Sequence, residues 1–94
     1  MLEEKAKKIS ELLKVLANEN RLLILCTLRD GSKSVGAIAE KIPGITLSAL
    51  SQHLSALKAH GILESEKHGQ SVYYHIKDTR VTQVLEVLRV HYCD

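Results

Sequence analysis

Two thiols, Cys26 and Cys93, stand far apart in the 94-residue chain. In a reducing compartment such a pair stays reduced, and a disulfide between them would be a redox event and not a structural staple. Cys26 sits in the apolar run RLLILCTL and by itself reads as a small buried hydrophobe, whereas Cys93 is the penultimate residue and reads as exposed. Nucleophilic catalysis would need a base beside the thiol, and no His falls a helical step from Cys26. The chain also lacks a Gly-rich phosphate loop, clustered carboxylates and a metal triad, and it is too short to build a substrate cleft. These features argue against an enzyme.

A second set of polar side chains suits recognition. Thr46, Ser48, Ser51 and Gln52 share the amino-terminal half of one helical segment, away from its Leu50, Leu54 and Leu57 stripe. Such short hydroxyls can reach phosphates or bases, and a Gln can pair bidentately with adenine in the major groove. Helix-terminal serines also serve as caps, so position must distinguish the two roles. His53 lies one step from Leu54 and reads as structural. Lys67, His68 and Gln70 surround Gly69 in a compact polar turn, where a charge could touch a phosphate and so position the protein without reading sequence.

The elements that must hold these residues follow from apolar periodicity. Ile9, Leu12, Leu13 and Leu16 recur at i, i+3, i+4, i+7 and predict a helix over Glu3 to Leu16. Asn18 or Asn20 can cap a second helix over Arg21 to Leu28, apolar nearly all round and therefore expected to be buried. Ser34 caps a short helix from Val35 to Ile42, and Pro43-Gly44 stops it. Thr46 or Ser48 starts the next, which ends near His60 with Gly61 in the position that tolerates positive φ. The period then changes to two: Ile62 to Lys67 and Ser71 to Ile76 flank His68-Gly69 as a hairpin. Asp78 can cap a last helix to about Tyr92, with Val81, Val84, Leu85, Leu88 and Tyr92 as its stripe.

The resulting order, ααααββα, is mainly α with a small β-hairpin. A tight-turn helix pair (34–60) followed at once by a hairpin (62–76) makes a winged helix-turn-helix. Its second helix would enter the major groove of duplex DNA. The flanking helices, 1–16 and 78–92, carry more apolar surface than so small a core needs, and pairing them across a two-fold axis in a homodimer is its simplest use.

Composition is compatible with this reading. With 45% hydrophobic and 26% charged residues, no Trp, no Phe and three Tyr, the chain reads as one domain with an aliphatic core. A domain this short buries only about 60 to 65% of its unfolded surface, so dimerisation would help it. The net charge of +2 is weak support for nucleic-acid binding, and local placement matters more. The start MLEEKAKKISELL resembles neither a signal peptide nor a membrane span, so a cytoplasmic location without membrane contact is expected.

The runs LLKVLANENRLLILCTL, SVGAIAEKI, SALSQHLSALKAHGIL and GQSVYYHI resemble the ArsR/SmtB family of homodimeric repressors over nearly the whole chain. The resemblance implies a winged helix-turn-helix dimerised by its first and last helices, which leaves its operator when an inducer binds. Where the arsenic and cadmium sensors of the family cluster cysteines, this chain has Ser34-Val35-Gly36. Where others place a zinc site, Asp-x-His and, ten residues on, His-x-x-Glu, it has Asp78-Thr79-Arg80 and His91-Tyr92-Cys93-Asp94. Asp78, His91 and Asp94 are thus a degenerate set, because the Arg80 guanidinium has no lone pair to give a metal. Neither metal nor cofactor is expected.

Cys26 and Cys93 resemble instead the thiol pair of the HlyU/BigR-like subgroup, which responds to oxidants or reactive sulfur by bridging the two. The resemblance implies a repressor released from DNA when a bridge ties the second helix to the last. Two alternatives stay open: a metal-responsive repressor with inert cysteines, and a winged-helix module for protein interaction.

Overall fold

The computed structural model describes residues 1–92. Helix α1 spans Leu2–Leu16, with Glu3 and Glu4 in its first turn and Lys14 in its last, charges that complement the helix dipole. Helix α2, Glu19–Thr27, begins at Asn18, whose side chain accepts from the Arg21 N–H at 3.1 Å. Ser34 does the same for α3, Val35–Glu40, accepting from the Ala37 N–H at 3.1 Å. Thr46, and not Ser48, caps α4, Leu47–Ala59, by accepting from the Ala49 N–H at 3.0 Å.

The end of α4 sets the direction of everything that follows. The Ile62 N–H donates to the Leu57 carbonyl and the Gly61 N–H to the Lys58 carbonyl, both at 3.0 Å, with Gly61 at φ +72°. This pair of bonds is the Schellman closure, and only a residue without Cβ enters that left-handed conformation at little strain. Ile62 is thereby folded back into the core beside Leu57.

Strands β2, Leu63–His68, and β3, Ser71–Ile76, pair antiparallel from Leu63↔Ile76 to His68↔Ser71. The turn is therefore Gly69-Gln70, one residue later than the periodicity places it. Gly69 has φ +63° and Gln70 does not have positive φ, the pattern of a II′ turn, which wants glycine first. A short strand absent from the sequence reading, β1 (Lys33–Ser34), pairs with β3 through Lys33↔Tyr74 and Ser34↔Tyr73, giving the sheet order β1-β3-β2. Helix α5, Thr79–Tyr92, closes the described chain. The order ααααββα thus gains one strand before α3, and α3 stops at Glu40 instead of Ile42.

The core is aliphatic. Ile24, Leu25, Leu28, Ile38, Ile42, Leu50, Leu54, Leu57, Ile62 and Leu63 form its centre, with Val15 and Leu16 from the end of α1 and Val81 and Leu85 from α5. No polar or charged residue among those described is buried. Helix α2 is not covered all round: Ile24 and Leu25 are buried, but Leu23 and Cys26 are exposed. The expectation of a buried Cys26 is corrected accordingly. A helix apolar on every side does not reveal which side the core takes, and here the core takes the side of Ile24, Leu25 and Leu28. No helix among the described residues is long and apolar enough to cross a membrane.

Candidate nucleic-acid interface

Helix α4 is held from three sides, which fixes the direction of its outer face. Leu50, Leu54 and Leu57 are buried. The Arg21 Nε donates to the Nδ1 of half-buried His53 at 3.3 Å, while its Nη1 reaches the Val15 carbonyl at 3.2 Å. One guanidinium thus ties α4 to α2 and to the end of α1, and His53 has the structural place expected of it. At the other end, the Lys58 Nζ donates to the Ser65 Oγ of β2 at 2.8 Å. These side chains make α4 a fixed platform relative to the wing.

On that platform Ser48, Ser51 and Gln52 are exposed, on the face away from the buried leucines. Thr46 is also exposed, but its hydroxyl is engaged as the cap. Sequence reading passed over Leu47, the first residue of α4, which is 69% exposed. The sequence hides this exposure: Leu47 lies three residues before Leu50 and seven before Leu54, in phase with the leucine stripe, and it is exposed because it stands at the very start of the helix.

The wing separates residues that the sequence groups together. Successive side chains of a strand point to opposite faces, so Lys67 shares the side of Leu63 and Ser65, toward α4, while His68 shares the side of Glu64 and Glu66. Lys67 is exposed and has no carboxylate partner among the described residues. His68 is engaged: its Nε2 lies 3.0 Å from Glu66 Oε2, and its ring meets Tyr73 edge-on at 5.4 Å between centroids. Glu64 on the same face faces His75 at 3.3 Å and Lys77 at 3.5 Å. The acids of the wing are therefore matched by local bases, and Lys67 stands apart on the α4 side. Gln70, at the tip, lines a cleft of 390 Å³ together with Ser34, Val35, Gly36, Ser71 and Val72, so the wing tip and the start of α3 share one surface.

At the start of α5, Asp78 is the N-cap that the sequence suggests. Its Oδ1 accepts from the Arg80 N–H at 3.0 Å, and the Arg80 guanidinium grips both carboxylate oxygens, at 2.9 and 2.7 Å. The guanidinium holds the Asp78 carboxyl below its ordinary value, and the carboxylate raises that of Arg80 in return. Both oxygens that a metal would need are thus committed to a cation belonging to the chain. His91 is exposed in the last turn of α5, while Asp94 and Cys93 lie outside the described residues.

Cys26 is exposed on α2. Three residues on, Arg29 helps to lower the carboxyl of Glu86 on α5, although Arg89, which hydrogen-bonds to it, is the larger cause.

Residues 16–66 match the model of a helix-turn-helix domain family. The chain is 40% identical over 98% of its length to the transcriptional activator HlyU of Vibrio cholerae, covering 84% of that protein, and 33% identical over 98% to the biofilm growth-associated repressor of Xylella fastidiosa, covering 80%. The structure of reduced HlyU from Vibrio cholerae superposes with a TM-score of 0.92, over 99% of this chain and 97% of that one, at 40% identity. The homodimeric winged helix-turn-helix DNA-binding domain Mb0332 of Mycobacterium bovis gives 0.80 over 94% and 81%, at 33% identity. With its helix pair, its wing and these relatives, the chain belongs to the helix-turn-helix family, among the ArsR/SmtB-like winged-helix transcriptional regulators of the HlyU and BigR type.

Proposed function

We propose that this chain is a homodimeric repressor of transcription that reads operator DNA through α4 and responds to oxidant or reactive sulfur through Cys26 and Cys93. The observation that carries the DNA reading is the exposed polar row Ser48, Ser51 and Gln52 on a helix tied at both ends, with exposed Lys67 on the α4 side of the wing. Ser51 and Gln52 reach base edges, Thr46 and Ser48 meet phosphates at the helix start, and Lys67, His68 and Gln70 touch the backbone along the adjacent groove. The relative Mb0332 is a homodimeric DNA-binding domain, which supports the same partners here.

The dimer reading rests on two helices that leave large apolar side chains uncovered by the core. Helix α5 buries Val81 and Leu85 but exposes Val84, Val87 and Leu88, and α1 buries Leu16 while exposing Leu2, Ile9 and Leu13. Apolar residues that the core of the chain leaves uncovered in this number call for another partner. Residues 1–16 and 78–92 are accordingly assigned to dimerisation, 34–60 to the helix-turn-helix and 62–76 to the wing, within one domain.

For the switch, the exposure of Cys26 supports its access to oxidant or polysulfide, and the bridge would join α2 to α5. One thiolate would attack a polysulfide and expel the shortened polysulfide, leaving a persulfide. The second thiolate would then attack the inner sulfur and displace hydrosulfide, which closes the disulfide. With peroxide the two thiols lose two electrons and two protons, and the oxidant leaves as water. That one solved relative is reduced HlyU supports thiol chemistry in the group. The bridge would shift the spacing of the two α4 helices, which must match a DNA turn of roughly 34 Å.

Two experiments test the proposal. Selection from a random duplex library should give a two-fold symmetric site, with Gln52→Ala and Ser51→Ala relaxing base preference and Lys67→Ala weakening all sequences about equally; unchanged profiles would refute the assigned roles. Cys26→Ser and Cys93→Ser should each keep operator binding after polysulfide treatment that releases wild type. Equal release would leave the cysteines inert, and release by a metal instead would point to a metal-responsive regulator.

A further inference from the structure

Among the described residues eleven large apolar side chains are exposed, and ten of them lie at Met1 or on α1, α2 and α5. The exception is Leu47, 69% exposed at the start of the reading helix. Its position is fixed on both sides: Ile45 packs against the core, and the Thr46 hydroxyl locks the first turn by accepting from the Ala49 N–H. Leu47 stands one helical turn before Ser51, so the two share an edge of the amino-terminal half of α4. The end of a helix that enters the major groove first is also the end that meets base edges.

We infer that Leu47 is a specificity-determining residue that selects thymine through its C5-methyl group. This rests on the DNA reading proposed above and deepens it. Apart from the small C5–H of cytosine, every other group on the major-groove edge of a base pair is a hydrogen-bond donor or acceptor, and the thymine methyl is the one sizeable apolar group there. An isobutyl side chain set against guanine O6 and N7 or the cytosine amino group would strip water from them and offer no partner in return. Against the methyl it buries apolar surface on both sides. The neighbouring polar residues Ser48, Ser51 and Gln52 can adapt to several bases, whereas Leu47 has one favourable partner.

The test uses the full-length reduced protein and the duplex site recovered by selection from a random library. Each thymine of the half-site is replaced in turn by deoxyuridine, which removes the methyl and keeps the base pair. At one thymine per half-site the wild type should bind about fourfold more weakly, the worth of one buried methyl. Leu47→Ala should lose a similar amount on the thymine duplex and be indifferent to the uracil change, with its thermal unfolding unaltered. Sequence-specific binding that uracil at no position weakens would overturn the role of Leu47 and leave the DNA reading standing. Failure to recover any bound duplex would overturn both.

Discussion

The segment from Ser34 to Ile76 and the helices on either side of it satisfy their apolar residues in different ways. Inside the segment, Ile38, Ile42, Leu50, Leu54, Leu57, Ile62 and Leu63 are buried, and the one large apolar side chain exposed is Leu47. In the flanks, α1 contributes only Val15 and Leu16 to the core from fifteen residues, and α5 only Val81 and Leu85 from fourteen. The same aliphatic residue types thus report a finished core in one region and an unused surface in the other. Burial within one chain, and not hydrophobicity as such, separates what holds the monomer from what is left for association.

That contrast can be broken by two substitutions of unequal reach. Leu54→Ala, at a buried α4 position between α2 and the wing, should lower unfolding stability by about 3 kcal/mol in urea denaturation. Val87→Ala, at a side chain 58% exposed, should change monomer stability by less than about 0.5 kcal/mol. If Val87→Ala were as damaging as Leu54→Ala at concentrations where the chain is monomeric, the division into two regions would fail. Joint replacement of Val87 and Leu88 by Asp places charges on the outward stripe of α5. It should reduce the mass in light scattering to one chain and weaken operator binding about a hundredfold, because two reading helices no longer bind as a linked pair. A dimer that survives both charges would move the interface elsewhere.

Much of the central segment was legible because its signals are local. Ser34 and Thr46 fall at the starts of apolar stripes, Gly61 stands where the helix must turn, and the leucine spacing of α4 dictates that Ser48, Ser51 and Gln52 face outward. What the sequence concealed depends on distant partners. The strand Lys33–Ser34 exists because Tyr73 and Tyr74, some forty residues on, supply its ladder. Arg21 meets His53 across 32 residues, and no periodicity announces such a bond. Cys26 could not be placed because the run around it is apolar on all sides. The polar wing-tip residues looked alike until the register sent Lys67 to one face and His68, with Glu66, to the other.

The boundary between the two regions is Asp78, and acid sharpens its role. The Lys77 and Asp78 N–H groups both point to the Ile62 carbonyl, at 2.8 and 3.4 Å, so the chain leaves the wing anchored to the point where it entered. Asp78 then starts α5 as a cap gripped by Arg80. Asp78→Ala should destabilise the fold by about 1 kcal/mol at neutral pH, the usual worth of such a cap. Because Arg80 holds the folded carboxyl below its ordinary 3.8, the unfolded chain takes up the proton first, and folding must pay for ionisation as the solution acidifies. The contribution is therefore complete above roughly pH 5 and is lost as pH falls through the folded value. Urea midpoints for wild type and Asp78→Ala should stay a constant distance apart at neutral pH and converge in acid, while Asp78→Asn, which keeps a capping oxygen but not the charge, should lie between them. Curves that diverge on acidification would mean that the carboxylate is held against its surroundings and not by them.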